Sequence, residues 1–320
     1  MKLSCRLALI VLGLSGLAGW GAPPVLAPAG PAAASQRAVV LEVHLDGMIE
    51  PVSAGYVEQG IADANRLHAS AILIEINTPG GLETSMRGII RSIFASAVPV
   101  ITYVAPSGSR AASAGFFILL SGDVAVMAPG TNTGAAHPVL LSGASMGKTE
   151  ALKVENDAAA YIRSIAGQRG RNAQLAEAGV RQSQSFTERE ALEGHLINAI
   201  AASPEDIFTQ FDGKTIPRIN GSATTLHLAG ARIENYSMTS RQRFLSHLAD
   251  PNLAFILLAI GAVLLYVEFT HPGVILPGIA GAISVVLALY RALESGPAGK
   301  SQPVRTLAER AGMTGPTRSE

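Results

Sequence analysis

Pro106-Ser-Gly-Ser-Arg-Ala-Ala-Ser-Ala-Gly115 is the stretch on which the reading of this chain turns. An apolar, β-branched run from Val98 to Val104 feeds into it, and a small apolar run with helical character, Ala114 to Leu120, leaves it. A strand-to-helix turn is therefore expected at Ser113. The first N–H groups of a helix have no intrahelical acceptor and can bind an anion there. Only small residues surround Ser113, so a substrate backbone can approach closely. A nucleophilic serine needs these conditions, although small residues at such a turn also serve plain packing.

A second loop of the same kind is Asn77-Thr-Pro-Gly-Gly81. It follows Ala71-Ile-Leu-Ile-Glu-Ile76, which reads as a buried strand, and Met86, Ile89, Ile90 and Ile93 recur after it at helical spacing. Gly80 and Gly81 permit positive φ and expose backbone donors. Such donors stabilise the oxyanion of acyl transfer; a tight turn is the simpler reading of two glycines. The third element is Lys153, at the head of Lys153-Val-Glu-Asn-Asp-Ala-Ala-Ala-Tyr161-Ile162. A lysine desolvated beside a serine loses its proton near neutral pH and acts as general base. A lysine solvated in a first helical turn is the alternative, and Glu155 and Asp157 nearby would hold it charged.

Taken together these motifs resemble the NfeD family, in its long, membrane-bound serine-protease form with a Clp-protease-like domain. The resemblance rests on Asn77-Thr-Pro-Gly-Gly-Leu82, Pro106 to Gly115, Met127-Ala-Pro-Gly-Thr-Asn132, Gly134-Ala-Ala-His-Pro138, Asn156 to Ile162 and Gly170-Arg-Asn172. It covers roughly Val39 to Ala201 and extends into the apolar C-terminal part. Some family members carry aspartate where this chain has Asn77, which leaves the glycine turn intact. The resemblance implies a Ser-Lys dyad, with Ser113 as nucleophile and Lys153 as general base. It also implies an oxyanion hole from Gly80, Gly81 and the backbone of Ala114. The implied fold is α/β: the spiral of repeated ββα units shared by the Clp protease subunit, signal peptide peptidase A and the crotonases, followed by a C-terminal membrane helical region. The implied substrate is an apolar segment of a stomatin-like membrane protein, cleaved without a cofactor by a homodimer or higher homo-oligomer.

Composition narrows the classes. The chain has 320 residues, with Lys plus Arg and Asp plus Glu at 24 each, and that balance gives no reason to expect a nucleic-acid partner. The single Cys5 excludes an internal disulfide framework and a thiolate-rich metal site, and the scattered histidines form no metal-ligand pattern. Residues 1–34 read as an export signal: Lys2 and Arg6, an apolar stretch from Leu7 to Ala18, then small residues with a cleavage site at Ala32-Ala33-Ala34. Export places the protease domain on the outer side of the cell membrane.

From residue 35 to 213 strand and helix signals alternate, as in a mainly parallel sheet. Strands are expected at Ala38–Leu45, Ile72–Ile76, Val98–Val104 and Val124–Met127, and a helix at Val52–His68. Thr187-Glu-Arg-Glu190 is a capping box. Pro138 to Gly147, rich in Leu, Ser, Gly and Ala, reads as a mobile flap over the site or as an ordinary surface loop. Residues 214–250 read as a linker. Leu253–Phe269 and Val274–Tyr290, within 251–290, are about long enough to cross a bilayer or to form a membrane hairpin. Residues 291–320 form a polar tail that reads as disordered.

His137 and Asn132 are candidate substrate-lining residues. His137 has no carboxylate at a recognisable spacing, and turn context explains Asn132 as well as a dyad-orienting role does. Ser107, Ser109 and Ser121 are rival nucleophiles, the first two already explained by turn chemistry. Two other functions compete with a peptidase: crotonase-like acyl-thioester chemistry on the same fold, and a non-catalytic scaffold for stomatin-like proteins.

Overall fold

Val, Ile and Leu fill the central strands almost without interruption, the signature of a sheet buried on both faces. The computed structural model describes residues 38–139, 147–240, 242–243, 251–271 and 275–294. The 1–34 export signal, residues 140–146 of the flap and residues 295–320 of the tail lie outside them. In chain order the elements are β1 (Val39–Asp46), α1 (Pro51–Arg66), β2 (Ala71–Asn77), α2 (Glu83–Ala95), β3 (Val100–Val104), β4 (Arg110–Ala112), α3 (Ala114–Ser121), β5 (Val124–Met127) and β6 (Asn132–Gly134). They continue with α4 (Lys148–Gln168), α5 (Ala173–Arg181), β7 (Ser185–Thr187), α6 (Glu188–Glu193), β8 (Ala199–Ile200), α7 (Pro204–Phe211), β9 (Thr215–Pro217), β10 (Ala223–Thr225) and β11 (Arg232–Tyr236). Two further helices are named here α8 (Pro251–Thr270) and α9 (Ile275–Glu294).

Six strands form one parallel sheet in the order β11-β1-β2-β3-β5-β8. On one face Leu41, Val43, Ile72, Ile74 and Ile76 pack with Ile61, Ile89, Ile90 and Leu119. On the other, Val40, Leu73, Ile101 and Val126 meet Ile207, Phe208 and Phe211 of α7. Each such fully buried side chain contributes about 1.5–3 kcal/mol. A second sheet, β4-β6-β7, stands where β3 and β5 run out. The Thr187 hydroxyl and Glu190 carboxylate close the reciprocal bonds of the expected capping box at α6.

The stretch expected to be a linker, 214–250, carries β9, β10 and β11 as far as Tyr236. β11 joins the main sheet beside β1, in register Val40 to Ile233. Its sequence, Arg-Ile-Glu-Asn-Tyr, has no apolar run because it is an edge strand with one free side. Tyr236 fixes its end, stacking on Tyr56 with ring centroids 5.5 Å apart and accepting the Tyr56 hydroxyl proton at its carbonyl.

His44 ties three strands together at this edge. Its ring lies 3.7 Å from the Glu75 carboxylate on β2, 3.6 Å from Glu42 on β1 and 3.3 Å from the Asn235 side chain on β11. The pairing with Glu75, aided by Asn235 and Glu42 and opposed by burial, pushes the imidazole up to about 9. A base held protonated by the fold stabilises it fully below its unfolded value of about 6.5, and the contribution fades as pH rises to about 9. Thermal stability is therefore expected to fall across that window, and a His44→Gln variant to show a flatter profile there in melts taken from pH 6 to 10.

The opposite end of the sheet is closed by a buried carboxylate. Asp123 accepts the Val100 N–H at 2.8 Å and pairs with Arg169 at 2.5 Å and with Arg218 at 3.1 Å. Arg218 also donates to the Ser96 carbonyl, and so pins the β9–β10 hairpin under the sheet. Arg171, wholly buried nearby and pulled down by that burial, donates to the Leu196 carbonyl and to Asn198. Removing the lone carboxylate would leave buried guanidinium groups uncompensated. Asp123→Asn is expected to lose about 3–5 kcal/mol, read as a lowered midpoint in chemical denaturation.

Helices α8 and α9 pack antiparallel. A Cβ at Gly261 would stand 2.9 Å from the Gly281 carbonyl, and one at Gly281 equally close to that of Gly261, so the two backbones meet directly. Phe255, Val263, Tyr266, Phe269, Leu276 and Val286 are exposed. Among the described residues no helix is long and apolar enough to cross a membrane. The two segments expected either to cross a bilayer or to form a membrane hairpin are seen as an apolar helical hairpin.

Candidate active site

The chain leaves β4 at Ala112 and enters α3 at Ala114, so the turn is made by Ser113 alone. Its φ and ψ are 54° and −118°, a backbone conformation that costs a residue with a side chain about 1–3 kcal/mol. Several contacts impose it. The Ser113 N–H donates to the Gly134 carbonyl at 2.9 Å, and the Ser113 carbonyl accepts the Phe116 N–H at 3.0 Å. Gly115 lets α3 start against the Thr78 methyl, with which any Cβ there would collide. Ser113 is half-buried, and its hydroxyl has no hydrogen-bond partner among the described residues.

The Asn77–Leu82 loop lies against this serine. Gly80 has φ 118°, and a Cβ on it would fall 2.6 Å from Ser113 Cβ and 3.0 Å from its Oγ. The next residue, Gly81, is pressed onto the backbone of Ile49. Ile49 clamps the loop from the end of β1, donating to the Gly80 carbonyl at 2.9 Å and accepting the Leu82 N–H at 2.8 Å. The two glycines therefore differ. The Gly80 N–H is donated to the Thr78 hydroxyl at 3.0 Å, whereas the N–H groups of Gly81 and Ala114 meet no acceptor among the described residues. Two backbone donors thus remain unpaired among the described residues, one on each of the two loops.

Lys153 sits in the second turn of α4, exposed and without a hydrogen-bond or ion-pair partner among the described residues. α4 reaches α3 through Tyr161, whose ring stacks on Phe117 at 6.0 Å between centroids. Ser113 and Lys153 share no hydrogen bond, and residues 140–146 between them are outside the described set. The two carboxylates that would have held Lys153 charged are committed elsewhere. Glu155 binds Arg181 at 2.9 Å, and Asp157 binds Arg87, which also stacks 4.1 Å over the Tyr161 ring.

The bystanders separate as well. The His137 ring is held at Nδ1 by the Val180 carbonyl at 3.3 Å and makes no hydrogen bond to Ser113 among the described residues. Asn132 is exposed on β6, and its side chain makes no hydrogen bond to Ser113 or Lys153 among the described residues. The Ser121 hydroxyl is fully buried and donates to the Ile118 carbonyl; Ser109 is buried in its turn. Two participants carry no chemical mark in the sequence: Ile49, which acts through its backbone, and Thr78, which looks like a turn residue. A cavity of about 360 Å³ opens at the C-terminal ends of β1 to β3, lined by His44, Leu45, Asp46, Glu75, Asn77, Ala105 and Pro106. It borders the loop through Asn77 and does not include Ser113.

This geometry defines a class: an α/β domain with a serine on a strained strand-to-helix turn, faced by a glycine loop with one free amide. The chain belongs to the NfeD family. Residues 39–235 match the NfeD1b N-terminal domain and residues 252–300 the NfeD integral membrane domain. It is 35% identical over 253 residues to membrane-bound protease PH1510 of Pyrococcus horikoshii, covering 78% of this chain and 57% of that protein. The chain thus spans little more than half of that relative's length. Two solved structures of the 1510-N membrane-bound stomatin-specific protease are also similar. One, a lysine-to-alanine mutant in complex with a substrate peptide, superposes with a TM-score of 0.62 at 30% identity, over 67% of this chain and 98% of that one. The other, a serine-to-alanine mutant, gives 0.59 at 32% identity, over 63% and 99%.

Because Gly80 leaves no room for a Cβ and holds a positive φ, Gly80→Ala is expected to push the loop off Ser113. A displacement of about 1 Å at a reacting centre costs on the order of 100-fold in rate. Labelling by a fluorophosphonate serine probe should slow by that factor, while Gly167→Ala, in open space on α4, should label at the wild-type rate.

Proposed function

We propose that this protein is a membrane-anchored serine endopeptidase that uses a Ser-Lys dyad to cleave apolar segments of membrane-associated, stomatin-like proteins. The observation that carries the reading is Ser113, held at φ 54° against Gly80 with its hydroxyl unpaired among the described residues, while the neighbouring Gly81 and Ala114 amides are also unpaired there. An ordinary packing turn has no use for that strain. Crotonase-like chemistry would need the two donors and no serine, and a scaffold would need neither.

In the proposed mechanism Ser113 Oγ attacks the peptide carbonyl carbon, and neutral Lys153 Nζ takes the hydroxyl proton. The Gly81 and Ala114 N–H groups hold the developing oxyanion, where removal of one donor typically costs about 100- to 1000-fold. Lys153 then gives the proton to the leaving amine. A water molecule, activated by the same lysine, hydrolyses the acyl-enzyme. Glu155 and Asp157 pair with arginines, which leaves Lys153 without an ion-pair partner among the described residues and supports its assignment to Ser113. The proposed transfer requires Lys153 Nζ to come within hydrogen-bond reach of Ser113 Oγ on a bound apolar peptide. The replaced serine and lysine of the 1510-N structures support one residue of each kind in these roles.

The fold reading is a Clp protease/crotonase-like spiral: β3 and β5 are each followed by a short strand in the second sheet and then by a helix. The exposed apolar hairpin α8–α9, within the integral-membrane match, supports attachment to the cell membrane. The export signal puts the protease domain on the outer side, and assembly as a homo-oligomer completes the reading. His137 and Asn132 are assigned to the substrate-lining surface.

The test is cleavage of one apolar peptide by detergent-solubilised protein. Ser113→Ala should abolish turnover, and so should Lys153→Arg, whose guanidinium stays protonated. His137→Ala, whose ring is occupied with Val180, should keep most activity. Normal cleavage by Lys153→Arg, or loss in His137→Ala alone, would replace the dyad with a Ser-His mechanism.

A further inference from the structure

Thr78 joins the two loops of the site through both its side chain and its backbone. It is fully buried. Its hydroxyl accepts the Gly80 N–H at 3.0 Å and donates to the Gly80 carbonyl at 3.2 Å, so one oxygen holds both backbone polar groups of Gly80. Its backbone runs parallel to β4: the Thr78 N–H donates to the Arg110 carbonyl at 2.7 Å, and its carbonyl accepts the Ala112 N–H at 3.1 Å. The residue after Ala112 is Ser113. The Thr78 methyl fills the space beneath Gly115, where α3 begins. One residue therefore touches the glycine loop through its hydroxyl, the strand before the serine through its backbone, and the helix after it through its methyl.

We infer that Thr78 is a positioning residue of the oxyanion site. Its hydroxyl takes the Gly80 N–H out of use and turns the loop so that the Gly81 N–H, not that of Gly80, is presented with the Ala114 N–H to the substrate carbonyl. Its effect is exerted on the transition state, because the oxyanion exists only there. This assignment deepens the peptidase reading and rests on it.

The experiment compares full-length Thr78→Val, Thr78→Ser and Ser113→Ala in detergent, by fluorophosphonate labelling and by kcat and KM on one apolar peptide. Valine keeps the shape of threonine and removes the hydroxyl; serine keeps the hydroxyl and removes the methyl. Thr78→Val is expected to lose about 100-fold in kcat and in labelling rate with KM unchanged, and Thr78→Ser to recover most of the loss. Amide exchange on the wild type should find Gly80 protected and Gly81 fast. Wild-type kinetics in Thr78→Val, an equal loss in Thr78→Ser, or a rise in KM alone would overturn the inference. Should Thr78→Val fail to fold, exchange decides: a fast Gly80 amide overturns the inference, and a protected one upholds it. A wild type that neither labels nor cleaves, like Ser113→Ala, would bring down the peptidase reading itself.

Discussion

The contact between Gly80 and Ser113 is the constraint on which the site depends. A backbone without a Cβ lies against a serine side chain, and no other amino acid fits at that position without moving one of the two loops. Each loop is therefore built to reach that point. Ile49 at the end of β1 and Thr78 at the end of β2 hold the glycine turn, while Gly134 at the end of β6 and Gly115 at the start of α3 hold the serine. The strain stored at Ser113 is carried by hydrogen bonds from a second sheet, so the site is as rigid as the packing of two sheets can make it.

That rigidity needs a sheet that does not shift. Its two ends are tied by different chemistry. At one, Asp123 neutralises arginines that arrive from α4 and from the β9 side, and buried charge makes this tie all-or-none. At the other, His44 links β11, β1 and β2 through partly exposed polar groups. The second tie weakens as the imidazole loses its proton, just where β1 runs out toward Ile49 and the glycine loop. The two loops that meet at Ser113 are thus both anchored to the sheets. Lys153, proposed as the base, is carried on a helix whose first turns are solvated.

The sequence alone determined the repeating strand–turn–helix order, the places of β1, β2, β3 and β5 to within a few residues, the capping box at Thr187, and the two glycine-rich turns. These follow from local rules: apolar runs make buried strands, and small residues make turns wherever they occur. The motifs at Asn77–Leu82 and Pro106–Gly115 also sufficed to place the chain in its family. Tertiary structure decided the rest. β11 was hidden because an edge strand needs no apolar run and is recognised only by its pairing with β1. Gly80 and Gly81 look alike in sequence and separate only when the Thr78 hydroxyl takes one of their amides. Glu155 and Asp157 sit beside Lys153 in the chain but are drawn away by Arg181 and Arg87, which come from α5 and α2. For β11 and for the two carboxylates the deciding partner lies far along the chain, and side-chain periodicity carries no information about which distant group will arrive; for the glycines the partner is two residues away, and only the folded turn decides which amide its hydroxyl takes.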